Sequence, residues 1–217
     1  MVKVSALTSI TGADTASDDL LHLTDVSAGT AGSKSITRDE LAKPISEYTA
    51  ANYALQGFWD YNDAATSSTA ISITGGGGWV QLTNDGAGSG TLKTYALPGI
   101  TDIWDTSTDD FDFSGLSLGD TVDIRVDLEV TTTSANQVVE FELRLGIGGT
   151  AYSLPFAMPE FKSSGSHGLV APCSLYIGNA NTKDNSAQIR VQSDTNCSIV
   201  VNGWYIRAIP RKAKLIT

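Results

Sequence analysis

The chain has 217 residues, with 14 Lys and Arg against 24 Asp and Glu for a net charge of −10, and only 18% of its residues are charged. That length suits one β domain with a small extension, and a chain this size buries roughly 70% of its unfolded surface, enough for a proper core. The acidic balance repels a phosphate backbone and argues against nucleic acid; no apolar run approaches the ~20 residues of a membrane helix, and the N-terminus is too polar for a secretory signal.

Residues 1–45 read as a small module ahead of a larger β domain. A short apolar strand, Asp19 to Asp25, precedes a Gly/Ser-rich turn, Ser27 to Ser33, and a second strand, Lys34-Ser35-Ile36. Thr37-Arg38-Asp39-Glu40-Leu41 then fits a capping box, in which Thr37 accepts from the Glu40 amide and Glu40 reaches back to the Thr37 amide. So short a unit has little core of its own and gains stability by docking, either on a partner or on its own domain as a plain ββα extension. Val4-Ser5-Ala6-Leu7, the strand Asp18 to Asp25, and Ser33 to Thr37 followed by Leu41 resemble a segment at the N-terminus of tailed-bacteriophage fibres and spikes. The resemblance implies fastening to the particle, with Leu20, Leu21, Leu23, Ile36 and Leu41 as the anchoring candidates.

Residues 46–57 form the expected neck. Pro44 suits a first helical turn, and Gly57 a helix end. Leu41, Ile45, Tyr48, Asn52 and Leu55 alternate at spacings of four and three, a short coiled-coil seam with one polar position; a single surface helix fits as well.

Residues 58–217 read as the head. Val122, Ile124, Val126, Leu128 and Val130 alternate with polar residues, as do Val139, Phe141, Leu143, Leu145 and Ile147, so each strand has one core face. The short connection at Thr131 to Gln137 predicts that these two strands pair. Further strands are expected at Ala70–Thr74, Trp79–Thr83, Leu92–Ala96, Tyr152–Met158, Leu169–Ile177, Ala187–Ser193 and Ser198–Ile209, divided by Gly- and Asn-rich turns. Pro155 and Pro159 suit an edge strand. Strands without intervening helices predict a mainly β fold, an antiparallel jelly-roll β-sandwich.

The last strand reads as apolar on both sides: Cys197, Ile199, Val201 and Tyr205 on one, Val200, Trp204, Ile206 and Ala208 on the other. Two covered faces predict a subunit interface, with Val200, Trp204, Ile206 and Tyr205 as its candidate residues; the alternative cover is another part of the same chain. Cys173 and Cys197 read as reduced, buried thiols, with a bridge between neighbouring strands as the alternative.

The stretches Gly57 to Asp63, Ala96 to Asp105, Phe111 to Asp120 and Val201 to Tyr205 resemble the head domains of certain phage fibres. The resemblance implies a jelly roll like that of the tumour necrosis factor family, assembled as a homotrimer. Little supports catalysis: His22 and His167 lack the surroundings of a triad, there is no Gly-x-Ser-x-Gly elbow, and Gly75 to Gly78 lacks the Lys-Ser/Thr of a phosphate loop. Acidic clusters around Asp60/Asp63 and Asp102 to Asp112 read as solvated loops rather than calcium sites, so no cofactor or metal is expected. Arg207, Arg211, Lys212 and Lys214 make a basic end suited to acidic capsid or to neighbouring acidic loops, with a solvated tail as the alternative. The expected role is a non-enzymatic virion protein, a short trimeric fibre or spike that contacts other capsid or tail proteins and a host surface glycan. Two alternatives remain: a capsid decoration protein, and a carbohydrate-binding module stacking sugars on Trp59, Trp79 or Trp104.

Overall fold

The computed structural model describes residues 56–211 in full and, beyond them, the backbone of four short strands. The chain divides into two compact units, Met1–Tyr53 and Ala54–Thr217. In the first, β1 (Leu20–Asp25) and β2 (Gly32–Thr37) pair antiparallel, from Leu20 opposite Thr37 to Asp25 opposite Gly32. This is the hairpin expected from the sequence. The helix expected from Thr37, and the seam residues Leu41, Ile45, Tyr48, Asn52 and Leu55, lie outside the described residues. The neck does not run as a helix to Gly57, because β3 (Tyr53–Ala54) and β4 (Gly57–Asn62) are already extended. In β4, Gly57, Trp59 and Tyr61 are buried in alternation with half-buried Phe58, Asp60 and Asn62, a period of two that a helix cannot meet.

After β4 come a short helix α1 (Ala65–Ser68), then β5 (Ile71–Ile73), β6 (Val80–Gln81), β7 (Trp104–Asp105), β8 (Asp110–Phe111), β9 (Thr121–Thr132), β10 (Gln137–Ile147) and β11 (Tyr152–Ala157). They are followed by β12 (Glu160–Phe161), β13 (Gly165–Tyr176), α2 (Ala180–Asp184), β14 (Ser186–Ser193), β15 (Cys197–Ile209) and β16 (Lys214–Leu215). The pairing is nested: β4 with β15, β6 and β8 with β14, β9 with β13, β10 with β11, all antiparallel. Successive pairs lie in opposite sheets, giving a five-stranded sheet ordered β13-β9-β15-β4 with β5 beside β15, and a seven-stranded sheet ordered β11-β10-β14-β8-β7 with β12 and β6 beside it. A long hairpin rolled up on itself in this way is a jelly roll.

The rolled topology corrects two expectations. Strands β9 and β10 do not pair, because the chain between them crosses from one sheet to the other. β9 lies between β13 and β15, and β10 between β11 and β14. Their apolar faces meet the same core from opposite sides instead. The segment at Leu92–Ala96 is not a strand. It turns at Lys93, and its Leu92 and Tyr95 carbonyls accept from the Asp60 and Phe58 amides at 2.9 Å, so it covers the open edge of β4. The other edge of that sheet, β13, carries Pro172, while β11 carries Pro155 at the edge of the second sheet.

Trp59, Trp104, Trp204, Phe111, Phe113 and Phe141 fill the space between the sheets. The Trp104 ring meets Phe111 at 4.7 Å and Trp204 at 5.7 Å, both edge-on. Cys173 and Cys197 are free and buried, in strands separated by β9, so no bridge joins them. Burial alone pushes the Cys173 thiol up to about 12. No helix among the described residues is long and apolar enough to cross a membrane.

Candidate functional site

The last strand decides which residues face outward. A bulge between Val201 and Gly203 shifts the register of β15 against β9, so that Cys197, Ile199 and Val201 point inward before it, and Trp204, Ile206 and Ala208 after it. The apparent second apolar face is therefore one core face with its phase changed by a single residue. Trp204 and Ile206 are fully buried within their own chain and cannot be the predicted interface residues. Val200 and Tyr205 lie on the outward side, half-buried.

The bulge is held from α1. The Thr66 hydroxyl accepts from the Val201 amide at 2.8 Å and lies 2.6 Å from Asp63 Oδ2, while the Asp63 amide donates to the Asn202 carbonyl at 3.2 Å. Gly203 follows, and a Cβ there would come within 2.8 Å of the Tyr61 carbonyl. The signature Val201-Asn202-Gly203-Trp204 is thus a requirement of the backbone.

On the outward face of the five-stranded sheet, Tyr205 lies in a cross-strand row between Asp60 and Arg125, and Arg207 in the next row between Phe58 and Asp123. The Tyr205 ring is 6.0 Å from Phe58 and 5.2 Å from the Arg125 guanidinium. Arg125 forks onto Asp127 at 3.1 and 3.0 Å, and Arg207 onto Asp123 at 3.1 and 2.5 Å. Bonds from Arg207 and Ser174 hold the Asp123 carboxyl below the usual carboxylate range. Burial raises that of Asp60, against the pull of Arg125 and of a hydrogen bond from Asn62. Apolar groups flank the pairs on β13, Val170 opposite Asp127 and Tyr176 opposite Thr121, at 63% and 69% exposure. Phe58, Tyr205, Leu92 and Tyr95 line a groove of about 270 Å³. Arg207 belongs to this face, so it is not part of the expected basic end. The Arg211 backbone amide donates to Asp120 while the residue itself is exposed, and Lys212 and the Lys214 side chain lie outside the described residues.

The seven-stranded sheet presents a different surface. Its outward residues form three cross-strand rows: Glu140 with Gln192, Glu142 with Arg190 and Gln81, and Arg144 with Gln188. Gln192 Nε2 donates to Glu140 at 2.7 Å, Gln188 Nε2 to Asp110 at 2.7 Å, and Arg144 to Ser153 at 2.9 Å. The Glu142 side chain is only 5% exposed and lies 3.9 Å from Arg190, whose guanidinium sits 6.0 Å from the Trp79 ring centroid. A cavity of about 440 Å³ opens between the Gly76–Gly77 turn and the Glu140–Gln192 pair.

Trp79 is half-buried. Trp59 and Trp104 are core residues, with their indole N–H groups bonded to the Thr101 and Asn84 carbonyls, so they cannot serve as stacking platforms. The acidic clusters act as turn acceptors. Asp63 accepts from the Thr66 and Asp85 amides, Asp85 from Ala64 and Ala87, Asp105 from Ser107, and Asp112 from Ser114. These bonds hold the Asp85 and Asp105 carboxyls low. His167 lies in β13 rather than in a loop, 2.9 Å from the Ser163 carbonyl and packed on Phe161. Sequence reasoning missed Phe58, Arg125, Glu142 and Arg190. The first was legible in the period-two pattern of Gly57–Asn62, but the others depend on which strands become neighbours.

No protein-family model matches the chain, and no curated protein matches it. The VP2 subviral particle of infectious bursal disease virus aligns over 88% of this chain and 38% of its own, at 10% identity and a TM-score of 0.42. The vertex protein P5 of PRD1 aligns over 88% of this chain and 82% of its own, at 9% identity and 0.33. The CBM22-1 xylan-binding domain of Paenibacillus barcinonensis Xyn10C aligns over 65% and 95%, at 12% identity and 0.34. The chain spans 38% of the length of the VP2 chain. Likeness this loose carries no inference about function.

Proposed function

We propose that the chain is a non-enzymatic structural protein of a tailed-phage virion, a short homotrimeric fibre or spike. Its N-terminal unit fastens it to capsid or tail proteins, and its jelly roll projects as the head. The observation that carries this reading is the two-part organisation: a small unit with a β1–β2 hairpin, built from the residues that resemble a virion-attachment segment, precedes a jelly roll. Trimerisation in this reading uses the outward face of the five-stranded sheet, through Val200, Tyr205, Phe58 and Val170, in place of Trp204 and Ile206. Tyr, Phe and Arg beside one another are the residue types that protein interfaces favour.

Deletion of residues 1–40 tests the anchor. Loss of the protein from particles, with the head retaining the intact protein's melting behaviour, is the expected outcome. Normal incorporation would contradict it. A particle that tolerates loss of the whole protein in host binding but becomes fragile would favour the decoration role.

A further inference from the structure

We infer that the outward face of the seven-stranded sheet is a binding site for an uncharged oligosaccharide, lying across β14 and β10 beside Trp79. A sugar presents hydroxyls that both donate and accept, and an apolar C–H face. Recognising it takes fixed planar polar groups and an exposed part of an aromatic ring. The face supplies the polar groups, and the half-buried Trp79 supplies a ring, with the Arg190 guanidinium 6.0 Å from its centroid. Gln81, Gln188 and Gln192 each carry a donor and an acceptor, Glu140 accepts, and Arg190 donates in a fork. The strand register sets these side chains in three rows, about 13 Å from first to last along the strands. The rows are held in place by bonds to one another and to the neighbouring loop and β8: Gln192 donates to Glu140, Gln188 to Asp110, and Gln81 to the Thr108 and Asp109 carbonyls.

Two further features mark the face as built. Glu142 is a charged side chain only 5% exposed, and Arg190 stands at 3.9 Å from it, a loose contact for a buried carboxylate. The 440 Å³ cavity adjoins the Glu140–Gln192 pair, next to the glycine turn that leads into Trp79. Charge selects the ligand class. Here Glu140, Glu142, Asp110 and Asp194, the last lining the cavity, outnumber Arg144 and Arg190, so the surface is mildly acidic and offers no field for a polyanion. A peptide strand would need an open sheet edge, and this is a sheet face with its main chain already paired.

The inference does not rest on the virion reading, and either can fail alone. The test is a printed array of uncharged and acidic glycans probed with the full-length protein, then calorimetric titration of the strongest uncharged binder. Trp79→Ala and Gln192→Ala are each expected to weaken that binding about tenfold or more, with unchanged melting. No binding to any uncharged glycan, binding to acidic glycans alone, or affinity untouched by both variants would overturn the proposal.

Discussion

The two outward faces of the jelly roll use the same residue types to different ends. On the five-stranded sheet each arginine turns two donors onto one aspartate, Arg125 onto both oxygens of Asp127 and Arg207 onto Oδ2 of Asp123, leaving Tyr205, Phe58 and Val170 as the groups not tied up in ion pairs. On the seven-stranded sheet the arginines are held less tightly, at 3.9 Å for Arg190, and glutamines fill the rows between them. A face whose charges are mutually neutralised and whose rings are left over suits burial against protein. One whose amides and carboxylates stand in ordered pairs suits a hydroxyl-rich ligand. Apart from Arg125 and Asp127, two residues apart on β9, the contrast is set by strand order, which brings Arg207 to Asp123, Arg190 to Glu142 and Gln192 to Glu140.

The most damaging way to test the comparison is to cross from a face into the core. Trp204→Ala is expected to cost about 3–5 kcal/mol, read by chemical denaturation, and Tyr205→Ala, at a half-buried outward position, much less. Trp204 Nε1 is buried without a hydrogen-bond partner, so Trp204→Phe, which removes that group, is expected to cost clearly less than the alanine variant. Equal losses for alanine at 204 and 205 would break the assignment of the two residues to opposite sides.

Next in size is the pin that holds the bulge. Thr66→Val leaves the buried Val201 amide without its acceptor and is expected to destabilise by about 1–3 kcal/mol. A variant as stable as the parent would mean that β15 keeps its phase change without α1.

The smallest effect sharpens the electrostatics of the five-stranded face. The Asp123 carboxyl is held low in the folded chain by Arg207 and Ser174, so its contribution is fully present above the ordinary carboxylate value of 3.8. It is lost as the pH falls from there through the lower folded value. Asp123→Asn is therefore expected to flatten the stability curve on the acid side while changing it little at neutral pH, where so exposed a pair contributes modestly. An unchanged acid slope would show the pair to be inert.

Much of this fold was legible in the residues. Alternation in Thr121–Thr132 and Gln137–Ile147 marks both strands, and Pro155 correctly points to an edge. What alternation does not carry is partnership. A four-residue connection reads as a hairpin whether the next strand lies beside the first or across the core from it. The interface residues failed for a related reason. A bulge costs one residue of phase, and from Cys197 to Ile209 that turns a single buried face into the semblance of two. Asn202-Gly203 was the available signal, since glycine within a strand often marks a bulge or a close backbone approach. Tyr205 and Val200 survive as outward residues because they fall on opposite sides of that slip, as the register requires.

Sedimentation of the full-length protein beside its Tyr205→Arg variant tests the account most directly. The expected result is a trimer for the parent and, for the variant, a monomer that still unfolds in one cooperative transition, lowered only by the lost association, since Tyr205 lies on the contact face but outside the core. A parent that sediments as a monomer at micromolar concentration, or a variant that stays trimeric, would contradict it.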